Sequence, residues 1–108
     1  MYEIKTFARE NRRPFWDWLR GLRDAHARAR IRTRIDRLAL GNLGQHRVLD
    51  GGVYELKIDW GPGYRVYFGK IGSTVVLLLC GGDKTTQQQD IKIAKQYWKE
   101  YQDAQNRQ

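Results

Sequence analysis

The chain has 108 residues, and its 20 lysines and arginines against 12 aspartates and glutamates give a formal net charge of +8. That length suits one domain, residues 1–108, and the excess charge points to a polyanionic partner, since each neutralised phosphate releases condensed counterions. A cytoplasmic chain without membrane, metal or small-molecule cofactor is expected: no apolar run approaches the roughly 20 residues of a spanning helix, no signal peptide opens the chain, Cys80 is the single cysteine, and His26 and His46 lack zinc-site spacing.

In chain order, the alternation of Met1 to Phe7 predicts a short strand. Pro14 then opens a helix over about 12–22, with Phe15, Trp16, Trp18, Leu19 and Leu22 at helical spacing. A second helix from Asp24 to about Leu40 carries Ile31, Ile35 and Leu38 on one stripe, and Gly41, Asn42 and Gly44 stop it. The two form a helical hairpin across one side of a sheet. Ten arginines lie between residues 9 and 37, more than solubility requires, which makes Arg30, Arg34 and Arg37 candidate RNA-binding groups.

Gln45 to Leu49 reads as a brief strand. Next, Tyr54, Leu56, Ile58 and Trp60 alternate with Glu55, Lys57 and Asp59, and Tyr64, Val66 and Phe68 alternate with Arg65, Tyr67 and Gly69. With Gly61-Pro62-Gly63 as the turn, Trp60 faces Tyr64, Asp59 faces Arg65 and Lys57 faces Tyr67. Glu55, Lys57, Asp59, Arg65 and Tyr67 then share one exposed face suited to a phosphodiester, with a solvated face of ordinary ion pairs as the competing reading.

Thr74 to Cys80 lacks alternation, as expected of a central strand covered on both faces, and Gly81 and Gly82 end it. A final helix from about Gln87 to Tyr101 buries Ile91, Ala94, Tyr97, Trp98 and Tyr101 and leaves Lys92 and Lys95 outside as further RNA-binding candidates. Residues 103–108 read as a frayed tail. The expected fold is α+β, a twisted and mostly antiparallel sheet with an N-terminal helical hairpin and a C-terminal helix.

The blocks GVYELKIDWGPGYRVYF and VVLLLCGGDKTTQQQDI, together with the amphipathic end with Trp98, resemble the RelE/ParE superfamily of toxins from type II toxin–antitoxin modules. The likeness is greatest to its HigB-like and phage-derived Gp49-like branch of addiction-module killer proteins. It covers nearly the whole chain. It implies a RelE-like fold and a metal-free endoribonuclease that cuts mRNA on the ribosome, with a cognate antitoxin protein as the blocking partner. Arg65 matches the arginine of the second hairpin strand, Lys57 a basic position in the strand before it, and Lys84 the basic position after the last strand.

RNA carries its own nucleophile, so such an enzyme must align the 2′-hydroxyl, neutralise the transition state and move protons. Arg65 is the expected phosphate clamp, because its planar fork grips two oxygens. Lys57 and Lys84 add charge. Asp83 or Glu55 is a candidate proton carrier, and Tyr67 a candidate for stacking on a base or donating its hydroxyl. Asp83 as a helix cap and Tyr67 as a packing aromatic are the plainer readings. Related nucleases carry a tyrosine or histidine where this chain has Asp83-Lys84-Thr85-Thr86, so the general acid is unassigned. A ParE-like gyrase inhibitor and a non-enzymatic nucleic-acid-binding module are the alternatives.

Overall fold

The structure is a computed structural model and describes residues 1–107. Strand β1 (Glu3–Thr6) is followed by helices α1 (Pro14–Gly21) and α2 (Ala25–Ala39), strands β2 (His46–Val48), β3 (Val53–Ile58), β4 (Tyr64–Ile71) and β5 (Val75–Asp83), and helix α3 (Gln87–Asn106). The five strands form one sheet in the order β1-β5-β4-β3-β2, antiparallel except for the parallel β1–β5 pair. The architecture is therefore α+β with an open, mostly antiparallel sheet.

Each helix is placed by its apolar stripe. Proline occupies the first turn of α1, where a missing N–H costs nothing, and Phe15 and Leu19 are its buried residues. Asp24 caps α2 by accepting from the His26 N–H at 2.9 Å, and Ala27, Ile31, Ile35 and Leu38 recur every three or four residues on its inner face. Both helices pack on one face of the sheet against Leu56, Ile58, Tyr64, Val66, Phe68, Val76 and Leu78. Helix α3 covers the opposite face, where Ala94 and Trp98 meet Val53, Tyr67, Leu77, Leu79 and Cys80.

That arrangement corrects three expectations. First, the face bearing Glu55, Arg65 and Tyr67 is buried rather than exposed, with residual exposures of 0%, 6% and 0%. Second, Lys57 pairs with Arg65, Glu55 with Tyr67 and Ile58 with Tyr64, two residues away from the expected register. The cause is the turn: Gly63 N–H donates to the Trp60 carbonyl at 3.0 Å, which draws Asp59 and Trp60 out of the ladder and makes a five-residue loop. Because side chains alternate with period two, a slip of two leaves every face assignment intact. Third, β5 runs through Gly81 and Gly82 to Asp83, and α3 continues past Tyr101 to Asn106, since no glycine or proline interrupts it.

Two of the strand glycines admit a large neighbour: a Cβ at Gly69 would collide with the Trp98 ring, and one at Gly81 with the Trp18 ring. Those close approaches let one tryptophan lie flat on each face of the sheet.

Candidate functional site

At the end of the sheet where the β3–β4 loop meets the end of β5, a cleft of about 220 Å³ is lined by Gln45, Lys57, Ile58, Asp59, Gly63, Tyr64, Arg65 and Lys84. Three separated stretches supply its cations. Lys57 and Arg65 sit directly opposite each other on β3 and β4. Lys84 opens the single 3₁₀ turn, Lys84–Thr86, that joins β5 to α3. Gly63 is the common neighbour, since a Cβ there would lie 3.3 Å from Arg65 Nη1 and 3.8 Å from Lys84 Cβ.

Like charges directly across a ladder repel. Among the described residues neither Lys57 nor Lys84 has an ion-pair partner, and the nearest carboxylate to Arg65 is Glu55, 4.0 Å from its Nε. Arg65 donates Nη1 to the Gly63 carbonyl at 2.9 Å, while its buried Nε has no hydrogen-bond partner. The cleft therefore holds three cations against one lining carboxylate, Asp59, and is electrostatically unfinished without an anion.

Beneath it lies a satisfied buried network. Glu55 accepts from Arg47 Nε at 2.7 Å, from the Tyr67 hydroxyl at 2.9 Å and from Gln87 Nε2 at 3.0 Å. Burial raises the Glu55 carboxyl, but hydrogen bonds from Arg47, Gln87 and Tyr67 outweigh it and hold the group below the ordinary glutamate range. Burial, followed by the hydrogen bond to Glu55 and its charge, pushes the Tyr67 phenol far above the ordinary tyrosine range. Tyr67 is thus a fixed neutral donor inside the domain, and it neither lines the cleft nor presents its ring to a base.

Asp83 caps the Lys84–Thr86 3₁₀ turn rather than the terminal helix α3, whose N-cap is Thr86. Its carboxylate accepts from the Thr85 hydroxyl at 2.6 Å and the Thr85 N–H at 2.8 Å. Those bonds, led by the hydroxyl, hold it below the ordinary aspartate range, with Arg65 adding to the effect, so it is an anion with no proton to give.

Of the basic residues expected to bind RNA, Arg34 is committed elsewhere. Its guanidinium donates to the backbone carbonyls of Lys57, Leu43 and Gln45, the latter two at 2.9 and 3.1 Å, and so ties α2 to the entry of β2 and the end of β3. Lys95 is paired with Asp50. Arg30, Arg37 and Lys92 are exposed and have no ion-pair partner among the described residues. Gln45, Ile58, Gly63 and Tyr64 are the cleft residues to which sequence reasoning gave no site role, and the Gly-Pro-Gly turn is the signal that could have found Gly63 and its neighbour Tyr64. Among the described residues no helix is long and apolar enough to cross a membrane.

The family described as phage-derived protein Gp49-like matches residues 17–107. A protein of Haemophilus influenzae named only as uncharacterized is 49% identical over 81 residues, covering 75% of this chain and 82% of that protein.

Proposed function

This chain belongs to the phage-derived Gp49-like family, which is associated with toxin–antitoxin modules, and we propose that it is the toxin of such a module. In this reading it has a RelE-like fold and cuts ribosome-bound mRNA at the Lys57–Arg65–Lys84 cleft. The observation that carries the proposal is the convergence of those three residues, from three separate stretches of chain, around a cleft whose single lining carboxylate, Asp59, leaves it short of an anion. A phosphodiester supplies that anion.

The chemistry follows from what each group offers. Arg65, held by Gly63 on one side and by the charge of Glu55 on the other, presents the remainder of its planar fork to the non-bridging oxygens. Lys84 and Lys57 flank it and stabilise the additional negative charge of the pentacoordinate transition state, an effect of about 10²–10³ per preorganised donor. Asp59 is the one carboxylate lining the cleft and is assigned the role of taking the 2′-hydroxyl proton. Tyr67 and Asp83 act indirectly, the first by holding Glu55 and the second by fixing the turn that carries Lys84. Alignment of the nucleophile falls to the ribosome, which supplies the orientation that a small open cleft does not. The antitoxin is a partner whose acidic groups neutralise this cleft.

Induced expression in bacteria tests the proposal. Growth arrest should come with loss of amino-acid incorporation and without induction of a DNA-damage reporter. Arg65→Ala and Lys84→Ala, both shown to be folded, should each relieve the arrest. Arrest that survives both variants and switches on the damage reporter would overturn the nuclease reading in favour of gyrase.

A further inference from the structure

On the α2 side of the same hairpin loop lies a larger concavity of about 420 Å³, lined by His26, Ala29, Arg30, Thr33, Arg34, Arg37, Ile58, Asp59 and Trp60. It shares Ile58 and Asp59 with the cationic cleft, so the two adjoin at the loop. The five-residue loop shapes it: Trp60, outside the strand, lies under Arg30, whose guanidinium carbon is 3.9 Å from the indole centroid. Arg30 is exposed, and among the described residues it has neither an ion-pair partner nor a side-chain hydrogen bond.

We propose that Arg30 and Trp60 form a nucleobase-stacking subsite for a nucleotide flanking the one whose phosphate occupies the Lys57–Arg65–Lys84 cleft. This inference rests on the reading that the chain binds single-stranded RNA. A guanidinium 3.9 Å above an indole centroid is held there by cation–π attraction, and its planar group together with the ring makes a surface of the kind on which unpaired bases stack. The neighbouring exposed Arg37 supplies a cation for the phosphate of that nucleotide. Arg34, with its donors on three backbone carbonyls, is the floor of the subsite and holds the loop base in place. An acidic peptide suits the surface less well: Asp59 stands at the junction of the two concavities, where it repels a carboxylate but accepts a hydrogen bond from a base amino group.

The test is binding, measured by anisotropy at two salt concentrations with a 5′-labelled, uncleavable 2′-O-methyl adenosine hexanucleotide. A fully abasic chain with the same number of phosphates serves as its partner probe. Base–aromatic stacking predicts that the wild-type protein prefers the adenosine probe by on the order of 5- to 100-fold. Arg30→Ala and Trp60→Leu should bring that preference to near one, whereas Arg23→Ala, which removes an exposed arginine from outside both concavities, should leave it unchanged. Arg65→Ala should weaken both probes by the same factor. Equal wild-type affinity for the two probes, or a preference that survives Arg30→Ala, would overturn the stacking subsite. So would displacement of both probes by a glutamate-rich peptide whose own affinity depends on Arg30. Failure of the cleft as the phosphate site is separable, since it would show as indifference of both probes to Arg65→Ala, whatever Arg30 does.

Discussion

Replacing Glu55 by alanine removes the acceptor on which the interior of the domain converges, and the structure allows its cost to be worked out. Tyr67 and Gln87 each lose a hydrogen-bond acceptor, at 2.9 and 3.0 Å, and the Tyr67 hydroxyl is fully buried. An abandoned buried donor costs about 1–3 kcal/mol. Arg65, 6% exposed, loses its one ion-pair partner among the described residues. Breaking a buried pair costs about 3–5 kcal/mol, and the 4.0 Å separation with no direct hydrogen bond places this one at the low end. Arg47 contributes little, because its side chain is half exposed and water can replace its partner. The sum is about 4–6 kcal/mol, against a total stability of about 5–15 kcal/mol for a domain of this kind. Glu55→Gln keeps an oxygen for Tyr67 and Gln87 and loses only the charge, so about half that cost is expected. Urea unfolding followed by circular dichroism should show the midpoint falling in the order wild type, Gln, Ala, with an unchanged slope if the same cooperative unit unfolds. A loss below about 1.5 kcal/mol for Glu55→Ala would refute the reasoning, because it would mean that solvent satisfies the donors the structure buries.

Three further outcomes are expected. The folded Glu55 carboxyl titrates below its unfolded value, so its contribution is present above about pH 4.5, where the unfolded group is ionised, and is lost as pH falls through the lower folded pKa; the acid-side stability slope should be shallower in Glu55→Gln than in wild type. Gly69→Ala should destabilise the domain by about 1–3 kcal/mol or more in thermal unfolding, because the new methyl group meets the Trp98 ring and must push α3 off the sheet; a change under 0.5 kcal/mol would contradict that packing. Cys80 is buried, and desolvation pushes its thiol up to about 12, so an aromatic disulfide reagent at pH 8 should label it only as fast as the protein unfolds, while immediate labelling would place it at the surface.

The elements of this fold were legible because its stripes are regular: Ile31, Ile35 and Leu38 announce the inner face of α2, and the unbroken Val-Val-Leu-Leu-Leu run announces a strand covered on both sides. The register was not, because Gly61-Pro62-Gly63 permits loops of three or five residues with the same facing of side chains, and only the Gly63-to-Trp60 backbone bond decides between them. Lys57, Arg65 and Lys84 were named from the family likeness, and the structure places all three around one cleft at the end of the sheet. The burial of Glu55 and Tyr67 was missed for want of knowing where α3 goes. A signal existed: the first two helices need one face, the stripe through Ala94 and Trp98 needs another, and the glycine at position 69 leaves room for a ring. Arg34 could not be read at all, because an arginine that binds three carbonyls looks in sequence like any other arginine on a basic helix.

The claim that the Lys57–Arg65–Lys84 cleft cuts ribosome-bound mRNA is tested most directly by primer-extension mapping of a defined mRNA in a purified translation system, with and without ribosomes. Wild type, Arg65→Ala and Lys84→Ala are compared, each verified as folded by circular dichroism. The account predicts cuts that require ribosomes and decline by about 10²–10³ in rate in each variant. Intact mRNA with wild-type protein that is folded and toxic, or undiminished cutting by both variants, would contradict it.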